Sequence, residues 1–388
     1  MKWKAAAAVV VLLSAGLAAC RDATTPDVPA TQVSATVVPG QYIVVFREGV
    51  ADPRGLSTRM AKAHGGTLRF TYTSALQGFA ARLNDDAVRA LERDPLVAYV
   101  EPDREFRIDV TQSMNANGDP WGLDRIDQTA LPLSRTYTYT ATGAGVHAYI
   151  IDTGIWTMTA DFGGRANNVY DAFGATGEDC NGHGTHVSGT IGGATYGVAK
   201  GVSLHGVRVL SCGGVGLTSQ IIAGIDWVRQ NAVKPAVANM SLGGGLSTAL
   251  NDATTNLWNS GVFVAVAAGN DNVDACTASP ASATGAFTVA ASEKTDAKAS
   301  YSNWGNCVEA YAPGSAIVSD YLLGTTNSLS GTSMASPHVA GVAVLYKATF
   351  GDASSATVSN WIISNSTTGV ITGNPGGTPN RLLSKASL

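Results

Sequence analysis

From Trp121 onward the chain is broken into short, nearly continuous apolar runs bounded by glycine: residues 146–151, 204–210, 236–242, 262–268 and 286–290. Runs this short and this unbroken are the mark of strands buried on both faces, as in a parallel sheet covered by helices. Between them, Ile222, Ile225 and Val228 share one stripe of a helix over residues 219–231, and a second helix over residues 249–260 is closed by Gly261. Strand and helix in alternation predict an α/β domain. The 44 glycines fit many tight turns and close backbone contacts. A formal net charge of -4 leaves no basic field for nucleic acid.

The segment upstream reads differently. Residues 1–20 have Lys2 and Lys4 ahead of a short apolar stretch, the pattern of a signal peptide rather than a membrane span. The stretch ends Leu17-Ala18-Ala19-Cys20, which resembles a bacterial lipoprotein box; that would acylate Cys20, whereas an ordinary signal peptide would leave Cys20 a chance residue. Both readings export the rest of the chain. Residues 21–38 read as a flexible tether. Residues 39–106 give the order β-α-β-β-α-β of a small ferredoxin-like α+β domain, with Asn84 as a helix cap. Residues 107–119 carry few apolar groups and read as a linker open to cleavage.

Five cysteines are present, and removing Cys20 leaves Cys180, Cys212, Cys276 and Cys307. An even number in an exported chain suggests two disulfides. Three pairings are possible; Cys180–Cys212 with Cys276–Cys307 closes two loops of similar size and is preferred.

Chemistry-bearing residues follow the apolar runs. Ile150-Ile151 leads into Asp152-Thr153-Gly154, and Ala267-Ala268 into Gly269-Asn270. In open α/β sheets the working crevice lies beyond the carboxyl ends of the strands. Two further blocks are Asn181-Gly182-His183-Gly184-Thr185-His186 and Gly331-Thr332-Ser333-Met334-Ala335-Ser336-Pro337-His338. Three blocks in the order Asp, His, Ser resemble the subtilisin-like serine proteases. The stretches Trp121-Gly122-Leu123-Asp124-Arg125-Ile126-Asp127-Gln128 and Asn239-Met240-Ser241-Leu242-Gly243-Gly244, with the cysteine spacings, resemble the proteinase K and aqualysin branch. Residues 40–106 resemble its inhibitor-type propeptide.

The resemblance implies a propeptide over 39–109 and a peptidase domain over 110–388, with a parallel sheet flanked by helices. A serine hydroxyl needs a positioned base to attack at neutral pH. His183 would take the Ser333 proton and later give it to the leaving amine, while Asp152 holds the imidazole. Asn270 and the Ser333 N–H would form the oxyanion hole. By the same resemblance Gly214-Val215-Gly216 and Ser241-Leu242-Gly243 are the two strands that pair with a peptide substrate. Ala267, Ala268 and Gly269 would line a small uncharged first pocket, implying an apolar or aromatic residue before the cut. Structural Ca2+ is implied at Thr284, Ala286 and Glu309, where the family usually has Asp in place of Glu309, and a second site could use Asp124, Asp127 and Gln128. His186 and His338 read as packing residues; His64, His147 and His205 belong to no constellation. The expected molecule is a secreted, self-cleaving endopeptidase zymogen, monomeric once mature, with its own propeptide as intramolecular inhibitor. Its precursor would be membrane-tethered if Cys20 is acylated. An α/β-hydrolase esterase would want Gly-x-Ser-x-Gly and the order Ser, Asp, His, and has neither here.

Overall fold

The computed structural model describes residues 37–107, 111–113 and 120–388. The leader, Cys20 and nearly all of the tether lie outside these residues. No helix among the described residues is long and apolar enough to cross a membrane.

The N-terminal module runs β1 (Val37–Phe46), α1 (Pro53–Ala63), β2 (Thr67–Tyr72), β3 (Gly78–Arg82), α2 (Asp85–Leu91) and β4 (Val97–Arg107). Its helices start where capping chemistry allows. Asp52 accepts from Gly55 N ahead of Pro53, and Asn84 accepts from Ala87 N. The strands pair antiparallel in the order β2-β3-β1-β4. Val44, Phe46, Phe79 and Leu91 close a core between this sheet and its two helices.

After β5 (Thr111–Ser113) and α3 (Trp121–Ile126) comes the large module. Its strands β6 (His147–Asp152), β7 (Ala166–Asp171) and β8 (Ser203–Arg208) flank α4 (His183–Gly192). Next are β9 (Val215–Leu217), α5 (Thr218–Asn231), β10 (Ala236–Met240), β11 (Gly244–Gly245) and α6 (Thr248–Asn259). Then follow β12 (Phe263–Ala267), β13 (Ala278–Ser279), β14 (Phe287–Ser292) and β15 (Ala310–Pro313). The hairpin β16 (Ile317–Asp320) and β17 (Thr326–Ser330) leads into α7 (Thr332–Phe350), then α8 (Ser355–Asn365), β18 (Thr367–Thr368) and β19 (Arg381–Leu382).

The main sheet has the order β18-β19-β15-β14-β12-β10-β6-β8-β7, parallel except at β18. Both faces are buried. Val339, Val342 and Val344 of α7 cluster with Phe263, Ala265 and Val289 on one side. Ile221, Ile225 and Leu250 of α5 and α6 cluster with Ile151, Val207 and Val264 on the other. Strand order reverses at β6, which sits between β8 and β10, so a crevice opens at the carboxyl end where Asp152 stands. The five runs seen in the sequence became β8, β6, β10, β12 and β14. The cysteines join as Cys180–Cys212 and Cys276–Cys307, with Cα separations of 5.0 and 5.4 Å.

The linker expected over 107–119 is not free of structure: β4 runs on through Arg107, and Thr111–Ser113 forms β5. Both segments have found sheet edges that satisfy their backbone groups.

At the opposite end of β6, His147 and His205 stack with ring centroids 5.1 Å apart and share a 2.8 Å hydrogen bond from Nδ1 of the first to Nε2 of the second. His205 Nδ1 is 2.6 Å from Asn167 Oδ1, so it carries the proton, and His205 Nε2 is left to accept from His147, which requires the His205 ring to be neutral. Burial, then the His147 charge, push His205 down to about 4; burial lowers His147 as well. The unfolded chain therefore binds more protons below the ordinary histidine value of about 6.5. The pair's contribution is complete above that value and is lost as pH falls toward 4. Across this window the melting temperature of His205→Gln should fall less than that of the unsubstituted chain; equal slopes in a calorimetric pH series would remove the role.

Candidate active site

Asp152 is the last residue of β6 and fully buried. Its Oδ1 accepts from Thr153 N at 2.7 Å and faces His183 Nδ1 at 2.8 Å. The backbone fixes it further, since Val209 N and Leu210 N both donate to its carbonyl.

His183 opens α4 after a tight turn. Gly182 has φ 103°, in the left-handed region, and a Cβ there would lie 2.3 Å from the Tyr321 ring. The Tyr321 hydroxyl donates to Asn181 O at 2.9 Å. Buried Asp179 ties the turn together. Its Oδ1 accepts from Asn181 N, Gly182 N and Thr153 Oγ1, and its Oδ2 from Thr185 N and Oγ1. Sequence reasoning missed Asp179; its position just ahead of a helix start was the available signal. The Cys180–Cys212 disulfide joins this turn to the loop before β9.

Ser333 is the second residue of α7, so the N-terminal end of a 19-residue helix lies at its backbone. Its Oγ donates to Ser241 O at 3.2 Å, and Ser241 Oγ donates to Ser333 O at 2.7 Å. His183 Nε2 has no hydrogen-bond partner among the described residues. The Asp152–His183 link is thus closed, while the serine hydroxyl rests on a carbonyl rather than on the imidazole.

Asn270 follows β12. Its Oδ1 accepts from Thr332 N at 2.8 Å and from Thr332 Oγ1 at 3.0 Å, which leaves Nδ2 as the donor end of the amide. Thr332, also missed in the sequence, thereby sets the orientation of Asn270. Ser333, Asn270, Ala267, Ala268, Gly269 and Gly243 line one shallow pocket, with Asp271 exposed among its lining residues.

β4 crosses from the N-terminal module onto β9, antiparallel, with Glu105 opposite Leu217, Phe106 opposite Gly216 and Arg107 opposite Val215. β5 pairs antiparallel with β17, Thr111 opposite Ser330. The chain therefore arrives on one strand and leaves on another, and β17 leads within three residues to Ser333. Two acids of β4 anchor this course. Glu101 accepts from Ala249 N at 3.0 Å and from Ser247 Oγ at the start of α6; Asp103 accepts from Ser219 N at 2.9 Å and from Ser219 Oγ at the start of α5. Asp226 of α5 reciprocates, accepting from Ser74 N and Ala75 N at 2.7 Å. Burial raises the pKa of all three carboxyls.

His186 and His338 are buried against backbone carbonyls. Burial pushes His186 down to about 3, and its Nε2 lies 3.0 Å from Ile317 O; His338 is pushed down to about 4 and holds Met334 O through Nδ1.

The chain matches the model of the subtilase family over residues 143–382. It belongs to that family. Residues 41–109 match a peptidase inhibitor I9 module, so this subtilase carries an inhibitor-type propeptide. An extracellular serine proteinase of Thermus sp. (strain Rt41A) is 48% identical over 386 residues, 93% of each chain. A cuticle-degrading protease of Metarhizium anisopliae is 42% identical over 359 residues, 91% of each. The crystal structure of a cold adapted subtilisin-like serine proteinase superposes with a TM-score of 0.68 at 49% identity, covering 70% of this chain and all of that one. The chain is therefore a proteinase K-type serine protease.

The proposed calcium ligands fare differently. Glu309 is half-buried and its Oε2 accepts from Thr288 N at 2.5 Å; desolvation pushes its pKa up to about 8. A carboxylate there is a hard oxygen donor of the kind Ca2+ takes. Asp124, Asp127 and Gln128 gather on one loop. Asp124 accepts from Ser134 N, Ser134 Oγ and Arg135 N, Gln128 from Ser134 N, and Asp127 from Thr138 N. All three side chains thereby converge on the loop over 134–138.

Proposed function

We propose that this subtilase is a secreted, self-maturing endopeptidase in which Ser333 is the nucleophile, His183 the general base and Asp152 the carboxylate that orients it. The observation that carries the reading is the 2.8 Å contact between His183 and Asp152 at the switch point of the sheet, with Ser333 at the adjoining helix start. Rotation of the Ser333 side chain away from Ser241 O would bring its hydroxyl to the unpartnered His183 Nε2. Oγ then attacks the scissile carbonyl as its proton passes to Nε2. The oxyanion is held by Asn270 Nδ2 and the Ser333 N–H. Collapse breaks the C–N bond, with the proton leaving on the amine, and water repeats the sequence on the acyl-enzyme.

Substrate backbone would add to β9 and to the Ser241-Leu242-Gly243 segment, as β4 does to β9. The first substrate would be the chain itself, cut between about Ile108 and Thr111. Residues 39–109 would then leave as the propeptide, and residues 110–388 remain as the monomeric peptidase. Small side chains at Ala267, Ala268 and Gly269 favour an apolar or aromatic residue before the cut. A structural Ca2+ would be held by the Thr284 and Ala286 carbonyls with Glu309; it would stabilise that turn and take no part in the chemistry. Extracellular relatives support export by the leader; acylation at Cys20 would tether only the uncut precursor.

A serine-directed fluorophosphonate should label Ser333 in the mature protein, and a peptide library should show cleavage after apolar and aromatic residues. Labelling at another residue would sink the mechanism; dominant cleavage after Lys or Arg would sink the pocket reading alone.

A further inference from the structure

Asp161 and Asp320 face each other at the carboxyl end of α4, away from the residues given catalytic roles. Asp320 closes β16 and is 3% exposed, yet its Oδ2 finds no hydrogen-bond donor. Asp161 lies in a short helical turn and accepts from Thr195 N at 2.9 Å and Thr195 Oγ1 at 2.6 Å. The two carboxylates reach the same space. A Cβ on Gly193 would lie 2.4 Å from Asp161 Oδ2, 2.8 Å from Asp320 Oδ2 and 2.9 Å from the Gly189 carbonyl.

Arg165 and Lys200 offset part of this charge from nearby, but neither donates a hydrogen bond to either carboxylate among the described residues. Arg165 spends Nη1 on the Gly192 and Val202 carbonyls at 2.8 and 2.9 Å, and Nη2 on the Asp161 carbonyl at 3.2 Å. Lys200 Nζ donates to Thr195 O and lies over the rings of Tyr137 and Tyr139. The other titratable neighbour is the Tyr196 phenol, whose pKa both acids raise after burial has done so. The C-terminal end of α4 adds negative potential of its own.

We propose that Asp161 and Asp320 form a divalent-cation site of the calcium type, separate from the turn at Glu309. Oxygen donors, net negative charge and partial access through the exposed Ala194 and Thr195 suit a hard cation that keeps some water ligands. Without a cation, burial and then the Asp161 charge push Asp320 up to about 8, so a proton competes for the same space below that pH. A bound ion would clamp β16 to the end of α4. Those elements neighbour the active site, because Tyr321 follows Asp320 and braces the turn before His183.

The test uses the full chain carrying Ser333→Ala, to exclude self-digestion, with and without Asp320→Asn. Melting is followed in chelator and in calcium on either side of pH 8. Increments from other calcium positions are common to both chains and cancel. Calcium should raise the melting temperature of the chain with Asp320 by roughly 5 °C more than that of Asp320→Asn. The difference should grow above pH 8 as the competing proton leaves. Equal calcium increments, with Asp320→Asn simply more stable in chelator at alkaline pH, would mean a shared proton and no metal. A terbium-soaked crystal of the chain with Asp320 intact gives an independent reading: an anomalous peak between Asp161 and Asp320 is expected, and its absence overturns the site.

Discussion

The Ser333→Ala chain should accumulate as a single uncut precursor, with peptidase activity down on the order of 10⁶-fold, the scale of losing one member of such a triad. The effect is this large because, in the proposed mechanism, Ser333, His183 and Asp152 would act as one unit. A closed Asp152–His183 contact has no use without a hydroxyl to deprotonate. The fold should survive, since the Ser333 side chain makes one 3.2 Å hydrogen bond to Ser241 O and its backbone stays in α7. Mass spectrometry of protein made in a protease-deficient host reads the outcome. Cleavage near residues 108–111 in that variant would mean that another protease matures the chain.

A second large effect is expected far from the site. The Arg125 side chain is fully buried in α3 and meets Asp296 through two hydrogen bonds, Nε–Oδ1 at 2.6 Å and Nη2–Oδ2 at 3.0 Å. Nη1 donates to Gln128 O at 2.8 Å. Asp296→Ala leaves a guanidinium stranded without a counter-charge, a loss of about 3–5 kcal/mol. For a chain of this size that lowers the melting temperature by roughly 10 °C. Arg125→Met together with Asp296→Leu should cost less than Asp296→Ala alone, because no charge is then left buried. If the double replacement is the worse of the two, the pair contributes more than mutual neutralisation.

The main strands were legible because β10, β12 and β14 are buried along their whole length and β6 along nearly all of it, while β8 keeps Leu204, Gly206 and Val207 buried. β7 was not: Ala-Asn-Asn-Val-Tyr-Asp lies at the sheet edge, half-buried, with no run to see. The β16–β17 hairpin is polar and short, so its part in bracing α4 had no periodic signal. At the candidate site, the side chains proposed to react stand in dense local motifs. Asp179 and Thr332 work by holding backbone groups and a neighbouring amide, roles that depend on a turn geometry absent from the linear chain. His147 and His205 stand 58 positions apart and meet because β6 and β8 pair in a register that sets Tyr149 opposite His205.

The short ladder between Thr111–Ser113 and β17 has a kinetic consequence. Once the chain is cut upstream of Thr111, the freshly made amino terminus still lies stitched to the strand that feeds Ser333. Three residue pairs must unzip before an incoming polypeptide can use that ground, so the lag before full activity would be governed by peeling rather than by scission.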